Sequence, residues 1–97
     1  MPQYQILREN IACKSEVKHK VVEKVGEGLK AVFPAYKEYS TVDGVRLALR
    51  NGWILVRASG TEPLVRLTVE GELLKAAREI LEKGVALVKK LVGEMEK

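Results

Sequence analysis

Aspartate, histidine, cysteine and aromatic residues are scarce in this 97-residue chain, which holds one Asp (Asp43), one His (His19), one Cys (Cys13), one Trp, one Phe and three Tyr. A single cysteine excludes an internal disulfide and a Cys-based zinc site. Cys13 lies in an apolar-leaning segment and reads as an inert, partly buried thiol. So few aromatics argue against a nucleic-acid surface, which needs rings for bases to stack on. No run is apolar and long enough to cross a membrane, and no signal peptide is expected. The expected setting is reducing and cytoplasmic, with no membrane partner. Amides are also few (Gln3, Gln5, Asn10, Asn51) against abundant Lys, Glu and Val, a balance that fits a heat-adapted source.

What is present suits one small domain spanning residues 1–97. The chain is 46% hydrophobic, enough for one core, and 31% charged. Seventeen Lys and Arg against thirteen Asp and Glu give a net charge of +4, a basic bias that suits an anionic ligand. The lysines are scattered over helical segments and form no tail, so the charge pattern does not point to nucleic acid.

Residues 5–13 read as a strand. Ser15 stands where a helix N-cap should, with Lys18 in place of the Glu of a capping box. Val17, Val21, Val25, Leu29 and Val32 then recur at helical spacing, and Pro34 ends the helix. Gly26 and Gly28 weaken it. After a connector (AYKEYS), Ser40–Asp43 and Val45–Leu49 read as strands, the second alternating with Arg46, Ala48 and Arg50 on the exposed side. Asn51-Gly52 suggests a type I′ hairpin turn. Trp53–Arg57 and Leu64–Glu70 follow as strands, with Val65, Leu67 and Val69 on one face and Arg66, Thr68 and Glu70 on the other. Trp53 reads as core packing. From about residue 72 to 95, Leu73, Ala77, Ile80, Leu81, Gly84, Val88, Leu91, Val92 and Met95 form one apolar helical stripe. The order predicts an α+β two-layer sandwich, an antiparallel sheet with both helices on one face.

The segment Arg57-Ala58-Ser59-Gly60-Thr61-Glu62-Pro63, with Arg66, carries the chemistry. Arginine offers a planar fork of donors that matches phosphate oxygens. Ser59 and Thr61 add hydroxyls. Gly60 permits a tight turn and a close approach of backbone N–H groups to an anion. Joining two antiparallel strands, the loop lets Arg57 and Arg66 converge from opposite sides. The same residues also fit an ordinary hairpin in which Glu62 pairs with the arginines.

RASGTEPLVRLTVEG closely resembles the C-terminal phosphate-binding loop of the α-D-phosphohexomutases: phosphoglucomutase, phosphomannomutase and phosphoglucosamine mutase. The Asp43-Gly44-Val45 strand start, Gly52-Trp53 and the closing helix are similar too, so the resemblance covers essentially the whole chain. Ala58 departs from the more usual proline, which changes stiffness and not donors. The resemblance implies the TATA-box-binding-protein-like fold of that family's fourth domain. It implies that Arg57, Ser59, Gly60, Thr61 and Arg66 hold the phosphate of a hexose phosphate that is not being transferred. A phosphoserine in the first domain, assisted by Mg²⁺, would perform the transfer, so the partners are the substrate and the remaining mutase domains.

The family's catalytic parts are not found here. Ser15, Ser40 and Ser59 do not match its phosphoserine motif, and one Asp cannot supply its metal loop. No catalytic residue, metal ligand or cofactor is expected in this domain, with Mg²⁺ expected in the full-length enzyme. The chain by itself is expected to lack mutase activity, and the start at Met1-Pro2 just before the first strand reads as a cut-out boundary. His19 reads as solvated, and Tyr36 and Tyr39 as connector residues at the surface or against a neighbouring domain. The resemblance is taken as one to the phosphomannomutase/phosphoglucomutase type; a stand-alone phospholigand-binding module without catalysis and a phosphoglucosamine mutase domain are the alternatives, and the hexose is not readable.

Overall fold

A computed structural model describes residues 5–41 and 44–95. The chain runs β1 (Gln5–Ala12), α1 (Lys18–Val32), β2 (Glu38–Ser40), β3 (Val45–Leu49), β4 (Gly52–Ala58), β5 (Leu64–Gly71) and α2 (Leu74–Met95). The five strands form one sheet in the order β1-β5-β4-β3-β2, with every neighbouring pair antiparallel. Both helices pack on one face, α1 chiefly over β3 and β4, α2 chiefly over β1 and β5. This is the expected α+β two-layer sandwich.

Period-2 alternation divides the sheet into a dry face and a wet face. Val45, Leu47, Ile54, Val56, Val65, Leu67 and Val69 are buried under the helices. They meet Val21, Val22, Val25 and Leu29 of α1 and Ala77, Ile80 and Val88 of α2, with Ile11 and Cys13 closing the same core. Cys13 is fully inside this core instead of partly buried. Gly26 and Gly28 cost helix propensity but allow close packing: Tyr39 abuts Gly26, and Leu87 of α2 abuts Gly28. Leu73 precedes α2 and is 69% exposed, so the stripe starts after it.

Several local expectations give way to tertiary contacts. Ser15 is not the N-cap: residues 14–18 form a turn through Val17 and Lys18 N–H bonds to the Lys14 carbonyl, and the cap is Val17, without a side-chain bond. At the other end Phe33 N–H donates to the Leu29 carbonyl just before Pro34, as expected. The short strand lies in the supposed connector, where Glu38–Ser40 pairs with β3 and Lys37 N–H donates to the Ala48 carbonyl. Val42 and Asp43, part of the expected strand, lie outside the described residues.

The β3–β4 hairpin forms, but its two-residue turn is Arg50-Asn51, with Leu49 paired to Gly52. Neither residue has positive φ, so the turn is not type I′. Gly52 is needed for another reason: a Cβ there would collide with the Glu70 carbonyl on β5. Arg50 therefore belongs to the turn, not to the sheet face. Trp53 is not core either. It stands half-buried on the wet face, where its indole Nε1–H donates to Glu70 Oε2 at 2.6 Å and the Arg46 guanidinium lies 5.4 Å from the ring centroid. Its N–H needs an acceptor, and the cross-strand Glu70 supplies one.

Candidate functional site

The wet face is built in rows across the strands. Asn10, Arg66 and Arg57 form one row, and Arg8, Thr68, Leu55 and Arg46 the next. Arg57 and Arg66 are direct cross-strand partners at the mouth of the β4–β5 loop, both exposed. Like charges placed directly opposite destabilise a sheet unless something neutralises them. Glu62 does not neutralise Arg66. Its N–H donates to Ser59 Oγ, its carbonyl accepts from Leu64 N–H and Lys18 Nζ, and no ion pair from its carboxylate to Arg66 forms among the described residues. Gly44, at φ 89°, makes room for Arg57: a Cβ there would stand 2.8 Å from Arg57 Cγ.

Residues 59–63 form the loop itself. Ser59 Oγ accepts the N–H of Glu62 at 3.1 Å and, more weakly, that of Thr61 at 3.4 Å. Those bonds use its lone pairs and leave its proton to donate. Ser59 N–H donates to the Leu64 carbonyl and Leu64 N–H to the Glu62 carbonyl, while Cys13 N–H at the end of β1 donates to the Pro63 carbonyl. Lys18, buried at the start of α1, donates through Nζ to the Ser59 carbonyl at 2.5 Å and the Glu62 carbonyl at 3.4 Å. The loop is thus tied to β1, to α1 and to itself, which fits a preformed site.

All five residues singled out from the sequence, Arg57, Ser59, Gly60, Thr61 and Arg66, line one open concavity of about 210 Å³ with Ala58. Gly60 differs from expectation in detail. Its φ is not positive, so the turn does not require glycine. A Cβ at Gly60 would meet nothing within 4 Å, so what glycine preserves is open space above the backbone. A second concavity of about 520 Å³ on the sheet face shares Arg57 and Arg66 and adds Arg8, Asn10 and Thr68. Sequence reading missed those three and Lys18. Arg8 and Asn10 alternate along β1, but only the strand order places them beside β5. His19 is exposed and lines a third concavity with Tyr39, Thr41 and Arg57. Among the described residues no three His, Cys, Asp or Glu side chains come together to hold a metal ion, and no helix is long and apolar enough to cross a membrane.

Residues 10–87 match the family model described as phosphoglucomutase/phosphomannomutase, C-terminal domain. A phosphoglucosamine mutase of Methanocaldococcus jannaschii is 45% identical over 95 residues, covering 98% of this chain and 21% of that protein. A probable phosphoglucosamine mutase of Methanopyrus kandleri is 44% identical over 95 residues, covering 98% of this chain and 20% of that protein. A solved phosphoglucomutase/phosphomannomutase family protein from Burkholderia thailandensis has a TM-score of 0.69 at 24% identity, over 93% of this chain and 18% of that one. At that identity the likeness speaks for the fold. The chain spans about a fifth of the length of the curated relatives it matches.

Proposed function

The chain belongs to the phosphoglucomutase/phosphomannomutase family, as its C-terminal domain, and on that premise we propose that its β4–β5 loop grips the phosphate of a hexose phosphate that is not being transferred. The observation that carries this reading is the cross-strand pair Arg57–Arg66, with Ser59, Gly60 and Thr61 lining the same concavity. A dianion between the two guanidinium groups can accept charge-assisted hydrogen bonds from both. Ser59 and Thr61 supply hydroxyl donors, and the missing Cβ of Gly60 lets a phosphate approach the backbone.

Holding the remote phosphate fixes the sugar, so the reacting end is presented in a defined orientation to groups supplied by other domains. Binding energy at a distance is then spent on orientation at the reacting centre. The phosphoserine and Mg²⁺ of the reaction belong to those domains in this reading. The isolated domain is proposed to bind without catalysing. The loop reads a phosphate, which every hexose phosphate carries. The names of the relatives favour an amino-sugar phosphate as the ligand.

Kinetics of a mutase that joins this domain to the remaining ones test the proposal. Arg66→Ala should lower kcat/KM by about 10- to 150-fold, the loss of about 1.5–3 kcal/mol from one charge-assisted contact. An unchanged kcat/KM would remove the loop from the substrate site.

A further inference from the structure

Lys18 breaks several local rules at once. It is the first residue of α1, where a positive charge opposes the helix dipole, and the first turn has neither an acidic residue nor a side-chain cap. It is only 7% exposed and is the one buried charged residue among the described residues. An ammonium at that depth needs hydrogen-bond partners. It finds them 41 and 44 residues later, in the carbonyls of Ser59 and Glu62. Sequences break local rules where a site demands it.

We infer that Lys18 is a positioning residue for the phosphate loop: it holds the Ser59 carbonyl toward α1 and thereby turns the Gly60 N–H outward, to the anion. The inference rests on the phosphate reading of that loop. The Ser59 carbonyl and the Gly60 N–H belong to one peptide group, and no described peptide bond is cis, so the two point in opposite directions. The carbonyl points to Lys18 on the helix-covered side; Arg57 and Arg66 stand on the other.

The donors of the loop can be counted out. Ser59 N–H goes to Leu64, Thr61 and Glu62 N–H go to Ser59 Oγ, and Leu64 N–H goes to Glu62. Pro63 has no N–H. Gly60 N–H is the loop donor without a partner among the described residues. A preorganised N–H of this kind stabilises an anion without reorganising first. Without the ammonium, the Ser59–Gly60 peptide is free to rotate and that donor is lost.

The test uses the ¹⁵N-labelled 97-residue chain and glucose 1,6-bisphosphate. In the wild type, the Gly60 amide should show the largest backbone shift on titration. Lys18→Met keeps the aliphatic stem and should raise Kd about tenfold or more and abolish the Gly60 response, while the amides of Ile54, Val56, Leu67 and Val69 stay in place. Lys18→Arg retains donors and should restore most of the binding. Wild-type binding with an unaltered Kd and Gly60 shift in Lys18→Met would overturn the positioning role and leave the phosphate site standing. No loop response in the wild type would overturn both. Should Lys18→Met fail to fold, the wild-type Lys18 ammonium decides. A slowly exchanging Nζ resonance that moves on ligand saturation supports the inference, and one exchanging like that of the exposed Lys20 and Lys24 refutes it.

Discussion

The two faces of the sheet are made from the same strands and obey opposite rules. On β5, Val65, Leu67 and Val69 are fully buried beneath the helices, while Arg66, Thr68 and Glu70 alternate with them on the other side. The helix-covered face is chosen for packing. The open face carries an arginine on each of β1, β3, β4 and β5, and only Arg57 and Arg66 stand directly opposite one another. Packing therefore belongs to one side and the proposed phosphate contacts to the other, at the β4–β5 loop.

Substitutions should separate the faces, and the largest effect belongs to the covered one. Ile54→Ala removes a fully buried side chain and should cost about 2–5 kcal/mol in denaturant unfolding, with binding unchanged in the folded fraction. Arg66→Ala should show the converse: a loss of about 1.5–3 kcal/mol in phosphosugar binding by calorimetry, with unfolding free energy changed by less than about 0.5 kcal/mol. A stability loss in Arg66→Ala as large as that of Ile54→Ala would erase the distinction.

Gly60→Ala sharpens the contrast within the loop. Because no atom would meet the new methyl within 4 Å, thermal stability should hold or rise slightly, by at most about 1 kcal/mol. Binding should weaken, because the methyl occupies the approach to the backbone. Unaltered affinity in this variant would mean that the ligand does not come to the Gly60 backbone. The smallest effect is expected at the far end of the open face. Trp53→Phe deletes the donor to Glu70 and should cost about 1 kcal/mol of stability, without effect on binding at the distant loop.

The parts legible in the sequence were those governed by local periodicity. The alternation of β5, the stripe of α2 from Ala77 to Val88 and the stop at Pro34 all follow from spacing alone, and donor chemistry singled out five residues that the fold brings to one concavity. What stayed hidden depended on contacts between distant segments. Lys18 looks like a misplaced helix residue until the carbonyls of Ser59 and Glu62 are brought to it. Trp53 looks like core until Glu70 appears across the strand as its acceptor. Asn51-Gly52 matches a common turn signal, yet the pairing of Leu49 with Gly52 shifts the turn by one residue, since Gly52 is required against β5. Tyr39 belongs to an edge strand because β3 pairs with it and Gly26 makes room for it.

The most direct test of the phosphate site is an NMR titration of the ¹⁵N-labelled chain with glucose 1,6-bisphosphate, with sulfate and the Arg57→Ala/Arg66→Ala variant as controls. Saturable shifts centred on residues 57–66, weaker with sulfate and lost in the variant, are the predicted result. An undisturbed loop at millimolar ligand, or an equal response in the variant, would contradict the account.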